Sequence, residues 1–126
     1  MSAKRILVID DEPNLSALIQ ACLESFGGWV VFTAGSGREG LLKAQSEQPD
    51  AILLDMILPD MDGLTLVRAL RNNPTTQAIP VILLTAKVLT GEQEQFDELG
   101  IRGAIAKPFD PLTLVAQLAK VLAWQD

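Results

Sequence analysis

The chain has 126 residues, with ten Lys and Arg against sixteen Asp and Glu for a formal charge of −6, and 48% of it is hydrophobic. That suits one folded domain with its own core and excludes disorder as a description of the whole. There is no histidine, so imidazole-based hydrolysis, His-ligated zinc and histidine proton shuttling are excluded, and the acidic balance with four Phe, two Trp and no Tyr speaks against direct nucleic-acid binding.

In chain order, the first apolar run is Ile6–Ile9. It follows Lys4-Arg5 but ends in Asp10-Asp11-Glu12, too short for a signal peptide. Next, Leu15, Leu18, Ile19, Cys22 and Phe26 recur at spacings of three and four, predicting an amphipathic helix whose lone cysteine belongs to the core rather than to reactive chemistry. A second strand is expected at Trp29–Phe32, and Ser36 with Glu39 forms a capping box that opens the second helix. Ala51–Leu54 and Val81–Leu84 are continuous apolar runs, as expected of strands covered on both faces. A third helical pattern lies between them, and Thr90 with Gln93 opens a fourth. The weaker run Ala104–Ala106 is the fifth strand. The last helix follows Asp110-Pro111, read as N-cap and first-turn proline, and carries Leu112, Val115, Leu118 and Leu122.

Five strands strictly alternating with five helices give an α/β class: a doubly wound parallel sheet with helices on both faces. Alternation alone does not fix strand order, but 2-1-3-4-5 suits five strands so covered. A single domain over 1–126 is expected, with its core at about 4–122 and nothing left for an output domain. No run approaches the roughly 18 apolar residues of a membrane span, so no membrane partner is expected. One cysteine allows no internal disulfide and points to a reducing, cytoplasmic location.

Ligands of such sheets bind beyond the carboxyl ends of the strands. There the sequence has Asp10-Asp11 after strand one, Asp55 after strand three, Thr85 after strand four and Lys107-Pro108 after strand five. Three clustered carboxylates repel one another unless a cation joins them, and a hard divalent ion with oxygen ligands, Mg²⁺ first, resolves the conflict. A carboxylate beside such an ion, an ammonium and a hydroxyl can attack phosphorus; Asp55, between the acidic pair and Thr85 with Lys107, is the nucleophile candidate.

These residues lie in stretches that resemble the receiver domain of two-component response regulators, close in size to the single-domain chemotaxis type. The matching pieces are Ile6-Leu7-Val8-Ile9-Asp10-Asp11-Glu12-Pro13, Leu53-Leu54-Asp55-Met56-Ile57-Leu58-Pro59-Asp60-Met61-Asp62-Gly63, Leu83-Leu84-Thr85-Ala86-Lys87 and Ala106-Lys107-Pro108-Phe109. The resemblance covers Lys4 to Leu122. It implies that Asp55 accepts a phosphoryl group from a phosphohistidine of a sensor histidine kinase or phosphotransfer protein, and that the domain then signals to a downstream protein target. It implies Mg²⁺ held by Asp11 and Asp55, by Asp10 through water and by the Ile57 backbone carbonyl, with Thr85 and Lys107 contacting the phosphoryl group. A cis peptide before Pro108 is implied as well, and Lys87 and Ile57 flank the site where side chains control water access. Ala104 departs from the pattern: receivers usually carry an aromatic three residues before the lysine, and a methyl group cannot make its inward turn. The coupling to the face of the fourth helix, fifth strand and fifth helix is therefore expected to differ.

Two motifs compete. Gly35-Ser36-Gly37-Arg38-Glu39-Gly40 matches a dinucleotide fingerprint, but after the second strand rather than the first. Asp60-Met61-Asp62-Gly63-Leu64-Thr65 resembles the nucleophile loop of haloacid-dehalogenase-type phosphatases, but lies five residues beyond the strand end. A small phosphatase or nucleotide-binding enzyme is thus the alternative, and a receiver excised from a longer protein a third. Trp124 is either an anchor for a partner or a helix end folded back on the sheet.

Overall fold

The computed structural model describes residues 3–85 and 98–124. Among them the chain forms β1 (Arg5–Ile9), α1 (Pro13–Gly27), β2 (Val30–Ala34), α2 (Gly37–Glu47), β3 (Ala51–Asp55), α3 (Gly63–Arg71), β4 (Val81–Thr85), β5 (Ile101–Ala106) and α4 (Leu114–Leu122). All strand pairs are parallel, in the order β2-β1-β3-β4-β5. The expected doubly wound architecture and strand order hold. Lys87 and the fourth helical pattern with Thr90 and Gln93 lie outside the described residues.

The sheet separates two cores. On one face Ile6, Val8, Leu53, Ile82, Leu84 and Ile105 meet Ile19, Cys22 and Leu23 of α1 and Leu114, Leu118 and Leu122 of α4. On the other, Leu7, Ile9, Ile52, Leu54 and Leu83 meet Ala44 of α2 and Leu66, Val67 and Leu70 of α3. Because every residue of β3 and β4 is buried, these strands lack polar alternation, as a parallel sheet covered on both faces requires. Each fully buried Leu or Ile contributes roughly 1.5–3 kcal/mol relative to exposure.

Several expected details shift. The core face of α1 is Ser16, Ile19, Cys22 and Leu23; Leu18 and Phe26 point to solvent. Four-residue spacing defines a stripe, but which stripe faces inward is set by where the sheet lies. Gly28, at φ 67°, closes α1 with its N–H on Glu24 O and delays β2 to Val30 rather than Trp29. Asp110 does not cap the last helix. Its Oδ1 accepts from Leu112 N–H at 2.9 Å and its carbonyl from Thr113 N–H at 3.0 Å, which forms a separate turn before α4, and Leu112 is left 76% exposed.

The largest revision is at β5, which begins at Ile101 rather than Ala104. Val81 pairs with Ile101 but Ile82 with Gly103, so Arg102 is an extra residue. This bulge reverses the side-chain phase: Ile101 packs with the α2–α3 core and Ile105 with the α1–α4 core. An uninterrupted strand would send both to one face. Ala104, paired with Leu83, is exposed.

At the amino ends of the strands the rings of Trp29 and Trp124 meet edge to face, with centroids 5.0 Å apart, beneath the Lys4 ammonium. Trp124 thus belongs to a helix end folded back on the fold.

Candidate functional site

The register carries the polar residues to one edge. Ile9 pairs with Leu54, Asp55 with Leu84 and Thr85 with Ala106. The residues at and just beyond these ends, Asp10, Asp55, Thr85 and Lys107, therefore gather at the carboxyl edge of the sheet. Asp10 continues the alternation of Ile6 and Val8, and Asp55 that of Ala51 and Leu53, so both carboxylates leave the same face. Asp11, exposed, joins them: one carboxylate oxygen from each of Asp10, Asp11 and Asp55 lies within 4.8 Å of the others.

Asp55 is 8% exposed, and its two oxygens have different partners. Oδ2 accepts from Lys107 Nζ at 3.0 Å, and Oδ1 from the Ile57 amide at 3.2 Å. Lys107 is placed by its own N–H, which donates to Thr85 O at 2.8 Å. The next peptide, Lys107-Pro108, is cis. Thr85 is buried at the end of β4. Asp10 is 2% exposed; its Oδ1 accepts from Glu12 N–H at 2.9 Å, while Oδ2, fully enclosed, has no partner among the described residues. Burial raises the Asp10 pKa above its ordinary value of 3.8, opposed by the Glu12 hydrogen bond and reinforced by the Asp55 charge.

A buried carboxylate oxygen without a partner is costly unless something satisfies it. Asp10, Asp11 and Asp55, with one carboxylate oxygen from each within 4.8 Å of the others, form a hard, oxygen-only donor set of the kind a divalent cation such as Mg²⁺ takes. The residues present fit such an ion.

The two competing motifs have structural explanations. Gly37 and Gly40 are needed for close packing: a Cβ on Gly37 would stand 2.5 Å from Met61 Cγ, and one on Gly40 2.5 Å from Ile9 Cδ1. The α2 amino end that a pyrophosphate would need is already taken, since Asp60 accepts from Gly37 N–H at 2.8 Å and Arg38 N–H at 3.0 Å. Asp62 caps α3 by accepting from Thr65 N–H at 2.7 Å. Neither carboxylate stands where the strand-end site is. The capping box forms with one variation: Ser36 Oγ accepts from Glu39 N–H at 3.1 Å, but Glu39 reaches Gly35 N–H, at 2.6 Å.

The structure therefore brings together Asp10, Asp11, Asp55 and Lys107, with the Ile57 peptide against Asp55 and Thr85 and Pro108 beside Lys107. Ala104 sits three residues before Lys107 on the outer edge of the sheet, and Lys87 lies outside the described residues. Sequence reasoning missed Ser16, whose Oγ donates to Asp10 O at 3.3 Å, and the bracing role of Asp60. The spacing of Asp10 and Glu12 was a usable sign of the Asx-type turn; nothing local pointed from Asp60 to α2.

Beside the site, Leu15, Leu18, Lys107, Pro108 and Phe109 line a mostly apolar groove of about 430 Å³.

Fold and site define a doubly wound α/β domain with an acidic cluster and a paired lysine at the carboxyl edge of its sheet. The sequence matches the response regulator receiver domain family over residues 6–119, and the chain belongs to that family. Protein PilH of Pseudomonas aeruginosa is 35% identical over 119 residues, covering 94% of this chain and 98% of that protein. The structure of chemotaxis response regulator CheY4 of Vibrio cholerae superposes with a TM-score of 0.86 at 31% identity, covering 95% of this chain and 99% of CheY4. The receiver domain of sensor histidine kinase PA1611 of Pseudomonas aeruginosa, whose structure has a magnesium ion coordinated in the active-site cleft, gives 0.82 at 31% identity, with 97% and 99% covered. Against several longer curated regulators the chain spans about half their length.

Proposed function

We propose that this receiver takes a phosphoryl group onto Asp55 from a phosphohistidine of a sensor histidine kinase or phosphotransfer protein, and signals by presenting an altered surface to a downstream protein. The observation that carries the reading is the clustering of the Asp10, Asp11 and Asp55 carboxylates, one buried Asp10 oxygen having no partner among the described residues, with Lys107 paired to Asp55. An Asp55 oxygen attacks phosphorus; the P–N bond to the donor imidazole breaks, and that nitrogen keeps the electron pair and takes a proton from solvent. Lys107 moves its charge from the carboxylate to the new phosphoryl oxygens, and the Thr85 hydroxyl contacts them. Asp10, Asp11, Asp55 and the Ile57 carbonyl would hold Mg²⁺, which when bound neutralises phosphoryl charge. The chain catalyses only its own phosphorylation and dephosphorylation.

A donor protein must bring its imidazole within reach of Asp55, and the apolar groove ending at Lys107 is the adjoining surface with area to bury against it. The working place fitting a lone buried Cys22 is the cytoplasm.

Intact-mass analysis with Mg²⁺ and a small phosphodonor tests the reading. One phosphoryl adduct mapping to Asp55 is expected, absent in Asp55→Asn and still formed by Asp60→Asn and Asp62→Asn. An adduct lost only in Asp60→Asn would move the chemistry to the phosphatase-like loop.

A further inference from the structure

We infer that Asp60 is a positioning residue for the phosphoryl-acceptor site, bracing the β3–α3 loop against the amino end of α2. The inference rests on the receiver reading above. The loop leaves β3 at Asp55, whose Oδ1 takes the Ile57 amide, and closes where Gly63 N–H donates to Met56 O at 2.8 Å and Ile57 bridges Asp62. Its tip is therefore a narrow excursion whose base holds the acceptor carboxylate. Asp60 ties that tip to another element with both oxygens, on the successive amides of Gly37 and Arg38. A carboxylate spanning the first amides of a helix gains charge-assisted bonds and complements the positive helix end. Met61 adds a steric key by packing over Gly37, where a side chain would collide.

The α2 end is a firm support. Glu39 accepts from Gly35 N–H, and Lys43 pairs with Glu39 and donates to Thr33 O, joining α2 to β2. Asp60 thus transmits the position of α2 through a short loop to the Ile57 peptide, and from it to the Asp55 carboxylate. Groups that orient metal-binding carboxylates change metal affinity by about 10–100-fold when removed, and an exposed brace such as Asp60 belongs at the lower end, about tenfold.

The test measures the Mg²⁺ midpoint for phosphoryl incorporation and, in metal-free protein, hydrogen exchange at the Ile57, Gly37 and Arg38 amides. Wild type is compared with Asp60→Ala, Asp60→Asn and Ser36→Ala. Asp60→Ala is expected to raise the midpoint about tenfold and to speed exchange at Ile57. Asp60→Asn keeps one acceptor oxygen and is expected to fall between it and wild type. Ser36→Ala removes a cap of the same helix without touching the loop, so it should lower thermal stability and leave the midpoint unchanged. Wild-type behaviour of Asp60→Ala overturns the inference. So does equality of the Asn and Ala variants, which would assign the effect to charge at a distance, or an equal midpoint shift in Ser36→Ala. If wild type itself takes up no phosphoryl group, the receiver reading falls instead, and exchange at Ile57 still decides whether the brace exists.

Discussion

Lys107 is a compact ammonium, 3.0 Å from Asp55 Oδ2, held at the sheet edge by its own amide on Thr85 O. A point charge can follow the carboxylate when a phosphoryl group is added, whereas a planar guanidinium is longer and fixed in its fork geometry. Lys107→Arg is therefore expected to accept a phosphoryl group more slowly and, once phosphorylated, to show smaller amide-exchange differences from its free form than wild type. Equal differences would remove Lys107 from the switch. Asp10 makes the complementary point. Its enclosed Oδ2 has no partner among the described residues, a cost that a cation held by Asp10, Asp11 and Asp55 would offset.

Among the elements, α4 shows how a helix face is chosen. Leu112, Val115, Leu118 and Leu122 form a good stripe on paper, yet the buried residues are Leu114, Leu118 and Leu122. Pro111 has no amide hydrogen to give, and the Asp110 turn holds Leu112 outside the first helical turn. Leu114→Ala should cost about 2–5 kcal/mol of stability by opening a cavity in the α1–α4 core. Leu112→Ala should change stability by less than about 0.5 kcal/mol. Urea unfolding of both variants separates these outcomes, and comparable losses would restore the Leu112 face.

At the scale of the whole molecule, four carboxylates act on folding with opposite linkage, Glu39, Asp60 and Asp62 against Asp10. Hydrogen bonds from backbone amides lower the pKa of Glu39, Asp60 and Asp62: Gly35 donates to the first, Gly37 and Arg38 to the second, and Thr65 to the third. Their contributions are complete above the ordinary values, 4.5 for Glu and 3.8 for Asp, and are lost as pH falls through the lower folded values. Asp10, raised by burial, runs the other way: its penalty appears as pH rises through its folded pKa. Stability should fall on acidification between about pH 5 and pH 2, and Asp60→Ala should flatten that limb. The Trp29–Trp124 pair, at the sheet end opposite the site, gives a fluorescence signal for these denaturation curves. An unchanged acid limb in Asp60→Ala would show that its two amide bonds do not persist in solution.

The sequence by itself determined the sheet class and the edge at which chemistry gathers, because both are written locally. Continuous apolar runs such as Ala51–Leu54 require a strand covered on both faces, and the polar residues ending four of the five runs mark the carboxyl edge. The Ser36 cap was legible for the same reason, since its partner is three residues away. Tertiary structure decided what depends on a neighbour distant in sequence. The bulge at Arg102 exists only relative to β4, and it resets which of Ile101 and Ile105 faces which core. The inward stripes of α1 and α4 depend on where the sheet lies beneath them. Asp60 became a brace only when folding brought it to the Gly37 and Arg38 amides, more than twenty residues away, a pairing that no local periodicity encodes because it is made by the crossover from β3 to α3 passing the amino end of α2.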